Sequence, residues 1–276
     1  MPLAIFDLDN TLLDGDSDYL WGKFLVAEGV VDADFYDREN QRFYDEYKNG
    51  TMDIFEFLDF QLKPLADNPM EKLLTLREKY LKERIWPIIK PAAQTLIEEH
   101  KKQNHTLMII TATNSFVTEP VAKKLGIETL IATMPEMKNN QYTGKVEGIP
   151  SYREGKVTRL EAWLKQNGEN LADSYFYSDS HNDLPLLELV THPVAVDADE
   201  TLTQHAEMKG WKIISLKQSS GVFCCWHCWV SHHWHCYSLF QPVVFPFLFL
   251  KYGPRYFQNR DPLIKLWLWN CACRVP

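Results

Sequence analysis

The chain of 276 residues, 45% apolar and 24% charged, is long enough for one large α/β domain with a smaller one beside it, which excludes intrinsic disorder, a collagen-like repeat and a disulfide miniprotein. Twenty-nine Lys and Arg against 37 Asp and Glu give a net charge of −8, which argues against a nucleic-acid surface and for a small or cationic partner or a bound metal. Residues 219–276 hold five basic residues and one acid, hence +4, so residues 1–218 carry −12.

Leu3-Ala4-Ile5-Phe6 is a short apolar run ending abruptly in Asp7, the pattern of a buried parallel strand with polar residues at its carboxyl end. From Asp14 to about Trp86 the alternation of strand and helix fails. This interval is rich in Asp, Glu, Phe, Tyr and Leu at helical spacing and reads as an inserted helical cap, 14–88, with seventeen acids and ten bases. Its aromatics Trp21, Phe24, Phe35, Tyr36, Phe43 and Tyr44 are expected to form the cap core. Further strands are expected at Thr106 to Ile110, Leu130 to Ala132, Ser174 to Tyr177, Val194 to Val196 and Lys212 to Leu216. Between them lie helical faces marked by Ala93, Leu96 and Ile97, by Val121 and Leu125, and by Val157, Leu160 and Leu164. This alternation predicts an α/β fold with a doubly wound parallel sheet, formed by 1–13 and 89–218. Tyr142, Lys145 and Val146 around Gly144 suggest a small hairpin beside that sheet.

Beyond Lys217 the composition changes. All six cysteines and five of the nine Trp lie in 219–276. Cys225-x-x-Cys228 with His232 or His235 and Cys236 has metal-ligand spacing, and a zinc site is one reading. The other reading, favoured by the near absence of acids and of any amphipathic period, is unselected sequence outside the fold. Residues 1–218 contain no run approaching the ~20 apolar residues of a membrane span, and Asp7 and Asp9 interrupt the apolar start, so a cytoplasmic enzyme without a signal peptide is expected. Oligomeric state is left open.

Asp7-Leu8-Asp9-Asn10-Thr11 puts two carboxylates at the mouth of the first strand. Alone, such a pair is more often a solvated or helix-capping feature. Here it is joined by Ile110-Thr111-Ala112-Thr113-Asn114 after a second strand, by Lys156 at a helix start, and by Ser178-Asp179-Ser180-His181-Asn182-Asp183 after a third. In an open α/β sheet these strand ends meet at one crevice. Carboxylates gathered there repel one another unless a lysine and a hard divalent cation are present, and oxygen ligands fit Mg²⁺.

In order and spacing these four motifs resemble those of the haloacid dehalogenase superfamily of phosphohydrolases, and the helical insert lies where its phosphoserine phosphatase-like members, subfamily IB, carry their cap. The resemblance spans residues 1–217. It implies that Asp7 is the nucleophile forming an aspartyl-phosphate, and that Asp9 protonates the leaving oxygen and then activates water. Thr111 and the Ala112 amide would hold phosphate oxygens, and Lys156 would neutralise the transferring group. Mg²⁺ would be held by Asp7, the Asp9 carbonyl and Asp179, with Asn182 and Asp183 supporting that loop. The fourth motif departs from the family's frequent Gly-Asp-Gly, since Ser178 and Ser180 flank Asp179, and the turn is expected to survive. Asp16 falls where phosphoserine enzymes carry a glutamate for the substrate amine, while Phe55 to Leu62 offers no arginine for its carboxylate. The implied substrate is a small phosphorylated metabolite with a cationic group, histidinol phosphate before phosphoserine. Transfer to an acceptor other than water, and a non-catalytic binding protein on the same fold, remain alternatives. Asn10 and Thr11 are expected to serve the turn, His181 to act as support or face solvent, and Arg159 to make surface salt bridges. Arg153 has no assigned role.

Overall fold

The structure is a computed structural model and describes residues 1–217. Seven strands, β1 (Leu3–Phe6), β2 (Thr106–Asn114), β3 (Thr129–Lys138), β4 (Gln141–Glu147), β5 (Tyr175–Ser178), β6 (His192–Val196) and β7 (Lys212–Ile214), form one sheet in the order β4-β3-β2-β1-β5-β6-β7. All neighbours are parallel except β3 and β4. The four residues of β1 are wholly buried, with Ala4 and Phe6 in the apolar cluster on one face and Leu3 and Ile5 in that on the other. Two covered faces account for its uninterrupted apolar run.

Helices α5 (Pro91–Lys102) and α6 (Ser115–Lys124) cover the first face through Ala93, Ile97, Val117 and Val121. The second is covered by α7 (Glu154–Asn167), the short α8 (Leu184–Leu187) and α9 (Glu200–Lys209), through Leu160, Leu186 and Leu202. The expected hairpin forms, but it belongs to the sheet: Asn139 and Asn140, both at positive φ (52° and 61°), turn β3 into β4, which pairs antiparallel as an edge strand. The second strand also runs longer than its apolar pattern, through Thr111 to Asn114, with a register shift after Ile110.

Between β1 and β2 stand α1 (Ser17–Ala27), α2 (Ala33–Asn49), α3 (Ile54–Asp67) and α4 (Met70–Tyr80), the last running through a π-helical turn into a 3₁₀ turn at Trp86–Ile88. Part of this segment's acid surplus starts its helices. Asp16, Asp32 and Asp53 are the N-caps of α1, α2 and α3, accepting backbone N–H bonds from Tyr19, Phe35 and Phe55 respectively, each worth about 1 kcal/mol against alanine. Trp21, Phe24, Leu58 and Leu62 share an apolar cluster with Phe6, Leu12 and Phe116 of the sheet layer, and Tyr36, Phe43 and Phe60 form a second cluster. Phe35, expected in the cap core, is exposed at the surface, touching Tyr36 and Phe60 only by ring edges.

The Cys225, Cys228, His232, His235 and Cys236 reading lies outside the described residues. Since Leu216 is already buried in the main cluster, a chain ending at Lys217 is expected to melt cooperatively within about 4 °C of the full chain, the shift that ~1 kcal/mol produces in a domain of this size. A thermal denaturation scan of both checks this, and a larger drop would assign a stabilising role to the residues beyond 217.

Candidate active site

Asp7 follows β1 directly, and its backbone N–H donates to the Tyr177 carbonyl at 2.9 Å, continuing the pairing with β5 and fixing the carboxylate at the strand mouth. The side chain is buried. Lys156, in the first turn of α7 and also buried, donates to Asp7 Oδ1 at 2.8 Å and lies 2.7 Å from Asp183 Oδ1. Burial works against the Lys156 charge, but Asp183 and Asp7 outweigh it and hold its pKa above the usual lysine range. Asp7 stays on the other side of that balance: burial pushes its carboxyl up to about 7, Asp183 and Asp9 add to the rise, and Lys156 opposes it.

The 178–183 loop is knitted by the two serines that stand in for glycine. Ser178 Oγ donates to Asp183 Oδ2 at 2.7 Å and accepts the Ser180 N–H at 3.2 Å, while Ser180 Oγ accepts the Asn182 N–H at 3.2 Å. The turn survives, and the hydroxyls do work that glycine cannot. Thr11, expected only to serve its own turn, donates to Asp179 Oδ1 at 3.0 Å and so joins the first motif to the fourth. Burial, then Asp7 and Asp183, hold the Asp179 carboxyl well above the usual range. His181 is held from the side, its Nδ1 2.8 Å from Asp199 Oδ2.

Asp9 faces the opposite wall. Its Oδ1 accepts the Ser17 N–H at 2.7 Å and its Oδ2 the Thr113 hydroxyl at 2.8 Å, with Thr111 Oγ1 at 3.5 Å. Despite these bonds, burial holds its pKa above the ordinary carboxylate value. Asp7, Asp9, Thr111, Ala112 and Thr113 line the floor of a cavity whose roof is the helical cap: Asp16, Asp18, Tyr19, Phe43, Tyr44, Tyr47 and Phe57. Phe43, a member of the second cluster, therefore also faces the site, whereas Tyr44, expected in the cap core, is half-buried, lies in neither cluster and stands on the cavity wall. Among the described residues no lysine, arginine or histidine lines the cavity itself, although Lys156 touches Asp7 on its floor and Lys48 Nζ stands 4.4 Å from the Tyr44 ring centroid on its wall. Burial and then the Asp9 charge push Asp16 up to about 7, and burial, Asp16 and Asp9 hold Asp18 well above its usual value. Asn114 Nδ2 donates to Asp18 Oδ1 at 3.1 Å.

Asp7, Asp9, Asp16, Thr111, Ala112, Lys156, Asp179, Asn182 and Asp183 thus gather at one end of the sheet. Asp18, Thr113 and Tyr47 join them without having been singled out from the sequence. Asp16-Ser17-Asp18 repeats the acid-x-acid spacing of Asp7-Leu8-Asp9, a signal that could have drawn attention to Asp18. The expectation for Arg159 is corrected: its Nη1 donates to the backbone carbonyls of Ala132 and Ile149, at 2.5 and 3.2 Å, because α7 packs that side chain against β3 and the loop after β4 instead of pointing it at a carboxylate.

The residues fit a hard cation. Asp7, Asp179 and Asp183 share one lysine, and the raised pKa values of Asp7 and Asp179 show that ionising all three lacks a second counter-charge, which a cation would supply; the carboxylate donors are all oxygens. Among the described residues no group of three or more His, Cys, Asp or Glu side chains is arranged to hold a metal unaided. Mg²⁺ accommodates that, since it keeps several waters and needs only one or two carboxylates.

Comparison with known proteins agrees with this arrangement. The haloacid dehalogenase-like hydrolase family matches residues 4–188. A histidinol-phosphatase of Neisseria meningitidis is 44% identical over 219 residues, 78% of this chain and 99% of its own length. A crystal structure of a Bordetella pertussis protein is 41% identical, covers 78% of this chain and 99% of that one, and superposes with a TM-score of 0.74. A phosphoserine phosphatase carrying a phospho-aspartyl intermediate analogue, 21% identical over 78% of this chain and 93% of its own, has the same fold at a TM-score of 0.59. With its α/β sheet, inserted helical cap and a relative this similar across its whole length, the chain belongs to the haloacid dehalogenase-like hydrolases.

Proposed function

We propose that this phosphatase hydrolyses a small phosphomonoester bearing a cationic group in the cytoplasm, histidinol phosphate in preference to phosphoserine, through an aspartyl-phosphate on Asp7. The observation that carries the substrate preference is the cavity roof: Asp16 and Asp18 beside Tyr19, Tyr44, Tyr47 and Phe57, with no cationic side chain on the lining. Ammonium or imidazolium groups are attracted to carboxylates and ring faces and would favour ionised Asp16 and Asp18, whereas a substrate carboxylate finds two acids on the roof and one nearby cation, Lys48, whose Nζ lies 4.4 Å from the Tyr44 ring centroid. Histidinol phosphate has the first kind of group and lacks the second; phosphoserine has both. The histidinol-phosphatase relative supports the same choice.

The proposed chemistry assigns each residue one task. Asp7 Oδ2, left free by the Lys156 bond to Oδ1, attacks phosphorus and the ester P–O bond breaks. Asp9, whose elevated pKa favours the acid form, gives its proton to the departing alkoxide. It then takes a proton from water, which attacks the phosphoryl group and frees Asp7. Thr111 and the Ala112 amide hold the phosphoryl oxygens, and Lys156 offsets their charge. Asp7, Asp179 and the Asp9 carbonyl would hold Mg²⁺, which would supply charge neutralisation and orientation for the transferring group when bound. Asn182 and Asp183 support that loop.

A panel of phosphomonoesters with Mg²⁺, and with EDTA as control, tests this reading. Histidinol phosphate is expected to exceed phosphoserine in kcat/KM by at least about tenfold, equivalent to ~1.4 kcal/mol of differential binding, with EDTA abolishing release. Equal rates on the two, or faster phosphoserine turnover, would sink the substrate assignment. A phosphorylated alcohol among the products would redirect the reaction to transfer.

A further inference from the structure

Arg153 stands at an unusual point of the backbone. It precedes α7 with φ 48° and ψ −121°, a region that costs a non-glycine residue about 1–3 kcal/mol and persists only where surrounding contacts impose it. Its side chain crosses from the sheet layer to the helical cap. Nε donates to Asn182 Oδ1 at 3.0 Å, and Nη2 donates to the Gly50 carbonyl at 2.6 Å. Asn182 in turn donates through Nδ2 to the Tyr47 carbonyl at 3.0 Å, and the Tyr152 hydroxyl donates to Asn182 Oδ1 at 3.2 Å.

Tyr47 lies in the last turn of α2 and Gly50 is its C-cap, where the carbonyls carry the negative end of the helix dipole; the Gly50 N–H already donates to the Tyr47 carbonyl at 3.1 Å. A forked guanidinium from the catalytic layer takes the Gly50 carbonyl, and a carboxamide adds a second donor to the Tyr47 carbonyl. Gly50 permits the approach: at φ 68°, a Cβ there would lie 2.8 Å from Arg153 Nη2 and 2.9 Å from His181 Nε2. The same last turn puts Tyr47 on the cavity wall, where burial, Asp179, Asp183 and Asp7 hold its phenol well above the usual range. Asn182 sits between Asp179 and Asp183. One side chain therefore touches both the end of the cap helix and the loop that bears the acidic residues.

We propose that Arg153 is a positioning residue, a latch that seats the last turn of α2, and with it Tyr47, over the cavity and ties that placement to the 178–183 loop through Asn182. The inference rests on this site being the phosphatase centre but not on the identity of the ester, so p-nitrophenyl phosphate serves as the kinetic probe. Arg153→Met is expected to raise its KM about tenfold while kcat falls less than about threefold, the split that marks lost ground-state seating. Arg153→Lys should recover only part of the loss, since it keeps the charge and lacks the fork. Gly50→Ala presses on the same contact from the cap side, so the Arg153→Met/Gly50→Ala double variant should be no worse than the more damaging single one.

A readout independent of turnover accompanies these. Amide hydrogen exchange across residues 45–51 of the metal-free full chain should quicken at least about fivefold in Arg153→Met and Arg153→Lys, while β1 and β2 keep wild-type protection. Failure of the substrate assignment leaves this exchange result untouched. Unaltered exchange at 45–51, KM within twofold of wild type, or penalties that multiply in the double variant would each overturn the latch. If Arg153→Met does not fold, Arg153→Lys and Gly50→Ala carry the same comparison.

Discussion

Asp7→Asn is expected to lower phosphate release by more than about a thousandfold, the scale on which loss of a nucleophile is felt, with the fold retained. Asparagine occupies the same volume at the end of β1, and the Asp7 N–H bond to Tyr177 is made by the backbone. The sign of the stability change follows from the carboxyl's pKa. Burial pushes Asp7 from 3.8 up to about 7, a value that already contains the Lys156 attraction. A carboxyl raised in this way contributes fully below about pH 3.8, and that contribution is lost as pH rises through about 7. In EDTA the wild type should therefore lose Tm between pH 5 and 8 relative to Asp7→Asn. Residual turnover above a trace would remove Asp7 from the nucleophile's role, and parallel Tm curves would show that its charge is already compensated.

Lys156→Met should be the more destructive change for the folded state. Lys156 is almost wholly buried, 2.8 Å from Asp7 Oδ1 and 2.7 Å from Asp183 Oδ1, and methionine fills its volume without its charge. Breaking a buried pair on one side costs about 3–5 kcal/mol, because the partner charges stay behind. Here two carboxylates stay behind, with Asp179 close by. They can escape by taking up protons, so the Tm deficit of metal-free Lys156→Met should be small at pH 5 and grow toward pH 8. Mg²⁺ titration should recover part of it while activity stays at least about a thousandfold down, since phosphoryl charge remains uncompensated during transfer. A variant as stable as wild type at pH 8 would contradict the charge balance described above.

The sheet was legible because parallel strands with both faces covered leave a strong mark: Leu3 to Phe6 and Val194 to Val196 are apolar runs cut off by an aspartate. The main motif residues were legible for a related reason, since a polar residue straight after such a run must stand at the open end of the sheet. Contacts that depend on how the cap folds back were not. Asp18 reads as one more acid in an acidic helix until Asn114, 96 residues later, is found bonded to it. Thr11 resembles a turn residue until Asp179 arrives opposite. Arg159 shows the limit from the other side: a basic residue on an amphipathic helix suggests ion pairing, but the carbonyls of Ala132 in β3 and Ile149 in the loop after β4 take its guanidinium instead. Arg153 offered no signal, because positive φ at an arginine is imposed by its surroundings and has no preference in the sequence to announce it.

The acid surplus that starts the cap helices has a consequence before any substrate is bound. Seventeen acids against ten bases in residues 14–88 place a negative field around the roof of the cavity. A phosphate dianion diffusing toward that field is repelled, while an ammonium or imidazolium on the same molecule is drawn in. An ester with its charges at opposite ends thus feels a torque during approach, over the ~8 Å or so that physiological salt leaves unscreened. Its cationic end turns toward the acidic cap and its phosphate trails toward the floor. On the function proposed above, selection between esters would begin in the encounter, with molecules that carry only negative charge disfavoured before they reach a single side chain.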